Sequence, residues 1–457
     1  MPRIILSRNL AFPSTFYKFP YARYTFNRFI MTSCRTNNRK VEILCSSMSS
    51  NVDKKVSLSI RGLAPKQKIT LRARLCGDSN DRFRSIAYYL ADKNGQVNLN
   101  SSDSLGGSYT GVEPMGFMWA MKPEPGQKPG RRLLKRDVTK PYLVNIDVLD
   151  GHVDADNEET PLSSLTIKRY YMGSGVRRIE VKVGRIRGSL FLPPGDGPFQ
   201  GVIDLLGSHG GLVEFKAALL ASNGFAAMAL AYFNYSDLPK ALQEIELEYF
   251  QEAVEWLKNH PQVRPGGVGV LGISKGADII LLLAANCPDV AATVWVSGHH
   301  GLGVYPMYYQ GKPLDFYKFV LSRSVVKADG SLVCRDCTPA FDDVKATPVE
   351  NIKGQLLLVY GADDQNMDSE SSATKIYERM KRFGKEAQCS LLGYHGAGHL
   401  IEPPYIPHVN MSYQKSFDIC LNWGGETKAH AAAQEHFWAK TLTFFKENLP
   451  QNPSSKL

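Results

Sequence analysis

The chain has 457 residues, 43% of them hydrophobic and 21% charged, and a formal net charge of +10. That is enough apolar material for two globular units with their own cores, and no run of apolar residues is long enough to cross a membrane as a helix. A nucleic-acid partner is not expected either: residues 1–41 hold Arg3, Arg8, Lys18, Arg23, Arg28, Arg35, Arg39 and Lys40 with no Asp or Glu, so eight of the ten net charges sit there and the rest is nearly neutral.

In chain order, the first element is that basic segment. It is rich in Ser, Thr and aromatic residues and free of acids, the composition of a mitochondrial transit peptide. Residues 1–47 are therefore expected to be a disordered targeting leader, with Met31 and Met48 as alternative starts. At the other end, the tail 451–457 finishes in Ser455-Lys456-Leu457, a receptor-read peroxisomal address. The two signals predict the mitochondrial matrix, the peroxisomal matrix or both, with the import receptors as partners.

From Val56 the chain reads as short strands. Val56, Leu58 and Ile60 alternate with polar residues, as do Ile69, Leu71, Ala73 and Leu75. SIAYYLADKNGQVNL carries a turn signal at Asn94-Gly95, YLVNIDVLDG closes the series, and nothing in between has a helical period. The pattern predicts a β-sandwich over 51–160. The polar stretch GHVDADNEETPLSS, residues 151–164, reads as a linker.

Over 165–450 the pattern changes. GVIDLLG, FAAMALAY, GVGVLG, AATVWVSG and QLLLVYG are short apolar runs separated by helix-like segments, the clearest being PKALQEIELEYFQEAVEWLKNH. Strands apolar on both faces, alternating with helices, predict an α/β domain with a parallel sheet covered on both sides.

The GVGVLG strand runs into Gly272-Ile273-Ser274-Lys275-Gly276 and then into an apolar helix-like run. This is the pattern of a nucleophile elbow, in which flanking glycines permit a strained turn that lifts the serine above the sheet. The alternative is a glycine-rich turn with no chemistry. A serine hydroxyl needs a base, and the base an orienting acid. Asp363 and Asp364 follow the QLLLVYG strand, and both are candidates for the acid. His399 lies in a Gly-Ala-Gly-His loop after the next strand, with His395 as its backup. The oxyanion hole should pair the backbone N–H of Lys275 with one from Gly207, Ser208, His209, Gly210 or Gly211, which follow an earlier strand.

Eight cysteines are thinly spread with no secretory signal, so reduced thiols are expected. Cys334-Arg335-Asp336-Cys337 is a lone CxxC with no second pair nearby, so no metal site is expected. Arg131, Arg132, Lys135 and Arg136 form a basic cluster, a candidate for holding substrate phosphates that reads rather as a solvated loop.

The motifs LRARLCGD, GVEPMGFMWAM, GGLVEFKAALLASNGFAAMALAYFNYSDLPK, LGISKGAD, GADDQN, GAGHLIEPPY and NWGGETKAHAAAQ together resemble the acyl-CoA thioesterases that share a fold with bile-acid-CoA:amino-acid N-acyltransferase. The resemblance runs from Val56 to Leu449. It implies an α/β-hydrolase catalytic domain preceded by an all-β immunoglobulin-like sandwich, and a triad of Ser274, Asp364 and His399, so it selects Asp364 over Asp363. It implies acyl-CoA as substrate and no metal or organic cofactor. The aminoacyl-transferring branch carries cysteine at the nucleophile position. Serine here implies water as acceptor, with N-acyl transfer and a non-catalytic lipid- or partner-binding protein as the alternatives. Chain-length preference and oligomeric state are not legible.

Overall fold

The computed structural model describes residues 40–156, 158–242, 245–338, 342–414 and 418–451. Most of the leader and the Ser-Lys-Leu tail therefore lie outside the described residues. Among those described, no helix is long and apolar enough to cross a membrane.

The N-terminal part is built from β1 (Glu42–Cys45), β2 (Ser49–Asn51), β3 (Leu58–Arg61), β4 (Lys68–Cys76), β5 (Arg82–Leu90), β6 (Val97–Asn98), a single helical turn α1 (Gly116–Trp119), β7 (Lys122–Pro123), β8 (Tyr142–Asp150) and β9 (Ser163–Tyr170). They form a three-stranded sheet, β1-β3-β6, and a six-stranded sheet, β2-β9-β8-β4-β5-β7. Leu58, Ile60 and Val97 of the small sheet share one buried cluster with Leu71, Ala73, Val144 and Ile146 of the large one, as the period-two pattern requires.

Three expectations are corrected here. The stretch 151–164 is not an interdomain linker. It turns β8 back into β9, which pairs antiparallel along β8 from Val148↔Ser163 to Tyr142↔Arg169. The β-rich part therefore extends to Tyr170 rather than stopping at 160. Residues 40–47 are ordered as well, because Glu42–Cys45 finds a partner in β3. The span 56–150 also contains α1, a buried turn too short to show a helical period.

The second part contains β10 (Arg177–Val183), β11 (Ile186–Leu192), β12 (Gln200–Leu205), α2 (Phe215–Ser222), β13 (Phe225–Ala231), α3 (Leu247–Lys258), β14 (Val268–Ile273), α4 (Lys275–Asn286) and β15 (Val290–Val296). An insert follows with the short strands β16 (Tyr308–Tyr309), β17 (Lys312–Pro313), β18 (Val325–Val326) and β19 (Leu332–Val333). Then come β20 (Gln355–Gly361), α5 (Ser369–Arg382), β21 (Cys389–Tyr394), β22 (Met411–Gln414), β23 (Ile419–Asn422) and α6 (Thr427–Asn448). The main sheet has the order β10-β11-β13-β12-β14-β15-β20-β21. Its first two pairings are antiparallel and the rest parallel.

Successive residues of the central strands feed opposite cores. Val202, Leu271, Val294 and Leu357 join the cluster that holds α2, α6 and the β-rich part. Ile203, Val270, Trp295 and Leu358 join the cluster that holds α3, α4 and α5. Burial on both faces is why these strands read as unbroken apolar runs. The expected helix from Pro239 starts later, at Leu247. The carbonyl of Ile245 accepts a hydrogen bond from Tyr308 N–H and Glu246 is bridged to Tyr308, so a long-range pairing keeps Ile245 and Glu246 out of the helix.

Candidate active site

The strand β14 ends at Ile273 and α4 begins at Lys275, leaving Ser274 alone to make the turn at φ 58°, ψ −128°. That backbone conformation is strained for a residue with a Cβ. The flanking glycines explain how the turn fits. A Cβ on Gly272 would stand 2.4 Å from the Gly276 carbonyl oxygen, and one on Gly276 would stand 2.8 Å from the carbonyl oxygens of Leu205 and Leu206. Neither contact is possible, so the spacing of glycine, serine and glycine is dictated by backbone approach. The Ser274 N–H donates to the Val296 carbonyl at 2.9 Å, which pins the turn to the neighbouring strand.

Asp364 follows β20 and is fully buried. Its Oδ1 accepts the N–H groups of Asn366 and Met367, each at 2.9 Å, and its Oδ2 accepts the Ser369 hydroxyl at 2.8 Å. The same Oδ2 lies 2.8 Å from His399 Nδ1. His399 is 1% exposed and stacks on the Trp423 indole at 5.4 Å between centroids and 15° between planes. Its Nε2 has no hydrogen-bond partner and its ring lines the same cavity as Ser274. An imidazole anchored at Nδ1 by a carboxylate, with Nε2 open beside a serine, can take a proton from that serine.

Asp363 does a different job. Its Oδ1 accepts from the Gln365 amide at 2.7 Å and its Oδ2 from the Gly425 N–H at 2.8 Å. It ties the loop after Trp423 in place and does not meet His399. His395 is exposed and lies outside the cavity lining.

Of the oxyanion candidates, Lys275, Gly207, Ser208 and His209 line the cavity, whereas Gly210 and Gly211 do not. The His209 N–H donates to the Gly207 carbonyl at 2.9 Å and the Gly211 N–H to the Phe233 carbonyl at 3.0 Å, so both are already committed. Among the described residues, no partner is found for the Ser208 N–H. Gly207 is there for space, since a Cβ would sit 2.9 Å from the Ser274 Cβ.

Beneath the elbow lies a buried pair that pattern reading missed. Lys275 and Asp278 are 3% and 1% exposed. Asp278 accepts the N–H groups of His299 at 2.7 Å and Gly303 at 3.1 Å, while Lys275 Nζ donates to the Gly303 carbonyl at 2.8 Å. Burial pushes the Asp278 carboxyl up to about 6, against the opposing pull of the Lys275 ammonium, and pushes the Lys275 ammonium down. Together they hold the 299–305 wall of the cavity.

The cavity measures about 550 Å3. Its walls are mostly apolar and come from the insert (Val304, Tyr305, Phe319, Leu321, Leu332) and from the segment around β23 (Ile419, Leu421, Trp423). Strands β18, β19, β23 and β22 form a small separate sheet there. Arg132 also lines the cavity, and its guanidinium pairs with Glu402 at 2.5 Å. The basic cluster is therefore not a solvated loop: Arg131 pairs with Asp81 at 3.2 Å, and Lys135, 3% exposed, pairs with Asp78 at 2.6 Å. Of the four, Arg136 alone is exposed. The described residues hold no cluster of three or more side chains able to bind a metal. Cys334 and Cys337 are buried free thiols.

Two family matches cover most of the chain. Residues 53–183 match the acyl-CoA thioester hydrolase/BAAT N-terminal region, and residues 245–451 match the BAAT/acyl-CoA thioester hydrolase C-terminal region. Among curated proteins, the bile acid-CoA:amino acid N-acyltransferase of Mus musculus is 43% identical over 417 residues, covering 90% of this chain and 98% of that one. The mitochondrial acyl-coenzyme A thioesterase 2 of Mus musculus is 41% identical over 399 residues, 87% of each chain. The peroxisomal succinyl-coenzyme A thioesterase of Mus musculus is 41% identical over 401 residues, covering 87% of this chain and 94% of that one.

Proposed function

We propose, from the premise that the chain belongs to the acyl-CoA thioester hydrolase/BAAT family, that it hydrolyses fatty acyl-CoA to free fatty acid and CoA. The observation that carries the reading is the Asp364–His399 pair with an open Nε2 in the cavity that Ser274 enters. In this reading the chain from β10 (Arg177–Val183) onward forms an α/β-hydrolase domain, and the preceding β-rich part, which ends with β9, is an immunoglobulin-like sandwich.

Ser274 Oγ attacks the thioester carbonyl while His399 Nε2 takes its proton. Asp364 holds the Nδ1–H and the imidazolium that forms. The tetrahedral oxyanion is received by the N–H groups of Lys275 and Ser208, the first at the positive end of α4. Collapse expels the CoA sulfur, which collects the proton from His399. Water then enters, gives a proton to the same nitrogen and attacks the acyl-serine. The carboxylic acid leaves and the serine recovers its proton. No cofactor or metal enters any step.

Two relatives are named as mitochondrial and peroxisomal, and the basic leader and terminal Ser-Lys-Leu fit import into those compartments through their receptors. N-acyl transfer is the second reading, because a 43% identical relative is named for it. One assay separates the two. The enzyme is given acyl-CoA of graded length with and without high glycine or taurine, and both free CoA and N-acyl product are measured. Free fatty acid should account for the released CoA under both conditions. N-acyl amino acid as the main product would replace hydrolysis by transfer, and no CoA release from any chain length would remove the enzymatic reading.

A further inference from the structure

The walls of the cavity have a regular component. Ile419, Leu421 and Trp423 are alternate residues of one segment, and all three line the cavity. The residues between them point elsewhere: Asn422 donates to the Ser331 hydroxyl at 2.9 Å, and Cys420 packs against the backbone near Gly130. One face of β23 is thus apolar and turned inward over its whole length. Leu332 of β19, which pairs directly with Leu421 in parallel register, lines the cavity beside it. Trp423 fixes the inner end of this face, because its indole is stacked on the His399 ring.

We infer that this face of β23 is a ruler for the acyl chain, with Leu421 and Ile419 as successive chain-length marks leading away from the triad. The inference rests on the acyl-CoA reading above. Two strand residues advance about 6.6 Å, a distance that an extended alkyl chain covers in about five methylenes. A chain bound at Ser274 would therefore pass Leu421 about five carbons before it reaches Ile419. β23 itself presents only apolar side chains along this run; the Gln414 amide, opposite Ile419 and also on the cavity wall, is neutral and already donates to the Ser412 hydroxyl at 3.2 Å, so the run suits an unsubstituted hydrocarbon tail. A chain ending in a second carboxylate would bury its charge along Leu421, Leu332 and Ile419, none of which can offset it.

The test is to block the groove at each mark. Leu421→Trp and Ile419→Trp are made in the full chain, and kcat/KM is measured on saturated acyl-CoA from four to eighteen carbons. Each variant should show a length beyond which kcat/KM falls at least tenfold relative to its own shorter substrates. That cutoff should be about five carbons shorter for Leu421→Trp than for Ile419→Trp. Leu421 is buried, so Leu332→Trp serves as a second block at the same mark if the first variant does not fold, and it should give the same shorter cutoff. Coincident cutoffs, the reverse order, or length profiles like that of the wild type would overturn the ruler while leaving hydrolysis intact. A wild type that releases no CoA from any length would instead overturn the acyl-CoA reading on which the ruler depends.

Discussion

Asp363 and Asp364 are neighbours of the same type, and spacing alone left both as candidates for the acid. The fold separates them completely, since Asp364 receives two backbone N–H groups, a serine hydroxyl and His399, whereas Asp363 receives Gln365 and Gly425. Asp364→Asn should lower kcat by ~10⁴-fold, because the amide can donate to Nδ1 and so stabilise the wrong tautomer. Asp363→Asn should cost far less, since it weakens only a loop anchor. Steady-state kinetics of the two folded variants tests this, and a larger loss for Asp363→Asn would reverse the assignment. Ser274 was legible because its glycine neighbours leave a pattern. Ser208 was one of five residues in a loop, and only the commitments of the neighbouring amides distinguish it.

At the scale of elements, the segment from Ser297 to Gly303 shows what a connection can do once it is buried. His299 and His300 stack at 4.1 Å between centroids and are 2% and 5% exposed. Burial pushes the His299 imidazole down to about 3 and the His300 imidazole down to about 2. Both stay neutral in the fold, while the unfolded chain protonates them below about pH 6.5. Because the folded pKa is depressed, the stability they provide is present above pH 6.5 and is lost as pH falls toward their folded values. His300→Asn should reduce stability at pH 7, and its deficit relative to the wild type should shrink by about 1 kcal/mol per pH unit between pH 6 and pH 4. Urea denaturation at pH 7, 6, 5 and 4 reads this directly, and a deficit that is constant across the series would show that His300 is not held neutral. The same scale contains a boundary that sequence reading missed. The helix expected from Pro239 starts at Leu247 because Tyr308, sixty residues away in the insert, claims the preceding backbone.

At the scale of the molecule, the described residues from Lys40 to Gln451 form one compact unit, although the sequence reads as two grammars. The junction is built by contacts that span the chain. Trp438 Nε1 donates to Asp53 at 3.2 Å and the Asn223 amide to the same carboxylate at 2.9 Å. The cluster that contains β3, β4 and β8 also contains α2 and α6. A shared core couples the halves, so heat should unfold the protein in a single transition, with near-ultraviolet circular dichroism and calorimetry giving the same midpoint. Residues 40–170 expressed alone should be poorly soluble, having lost the cover on that face. Two resolved transitions, or a stable and monomeric 40–170 fragment, would contradict the shared core.

What the sequence alone determined follows from local rules. The two-residue period identified most of the β-rich strands, unbroken apolar runs identified a sheet covered on both faces, and the serine between glycines identified the elbow. Each of these leaves its mark within a few consecutive residues, even where the contact that demands it is distant. The tertiary structure decided which aspartate meets His399, which amides remain open above Ser274, that Arg132 and Lys135 are drawn into ion pairs with Glu402 and Asp78, and that β9 belongs to the six-stranded sheet. It also decided the wall of the cavity, where Leu332 of the insert meets Leu421 of a strand that lies beyond His399 in the chain. Those choices depend on pairings across tens to hundreds of residues, and no window along the chain contains both partners.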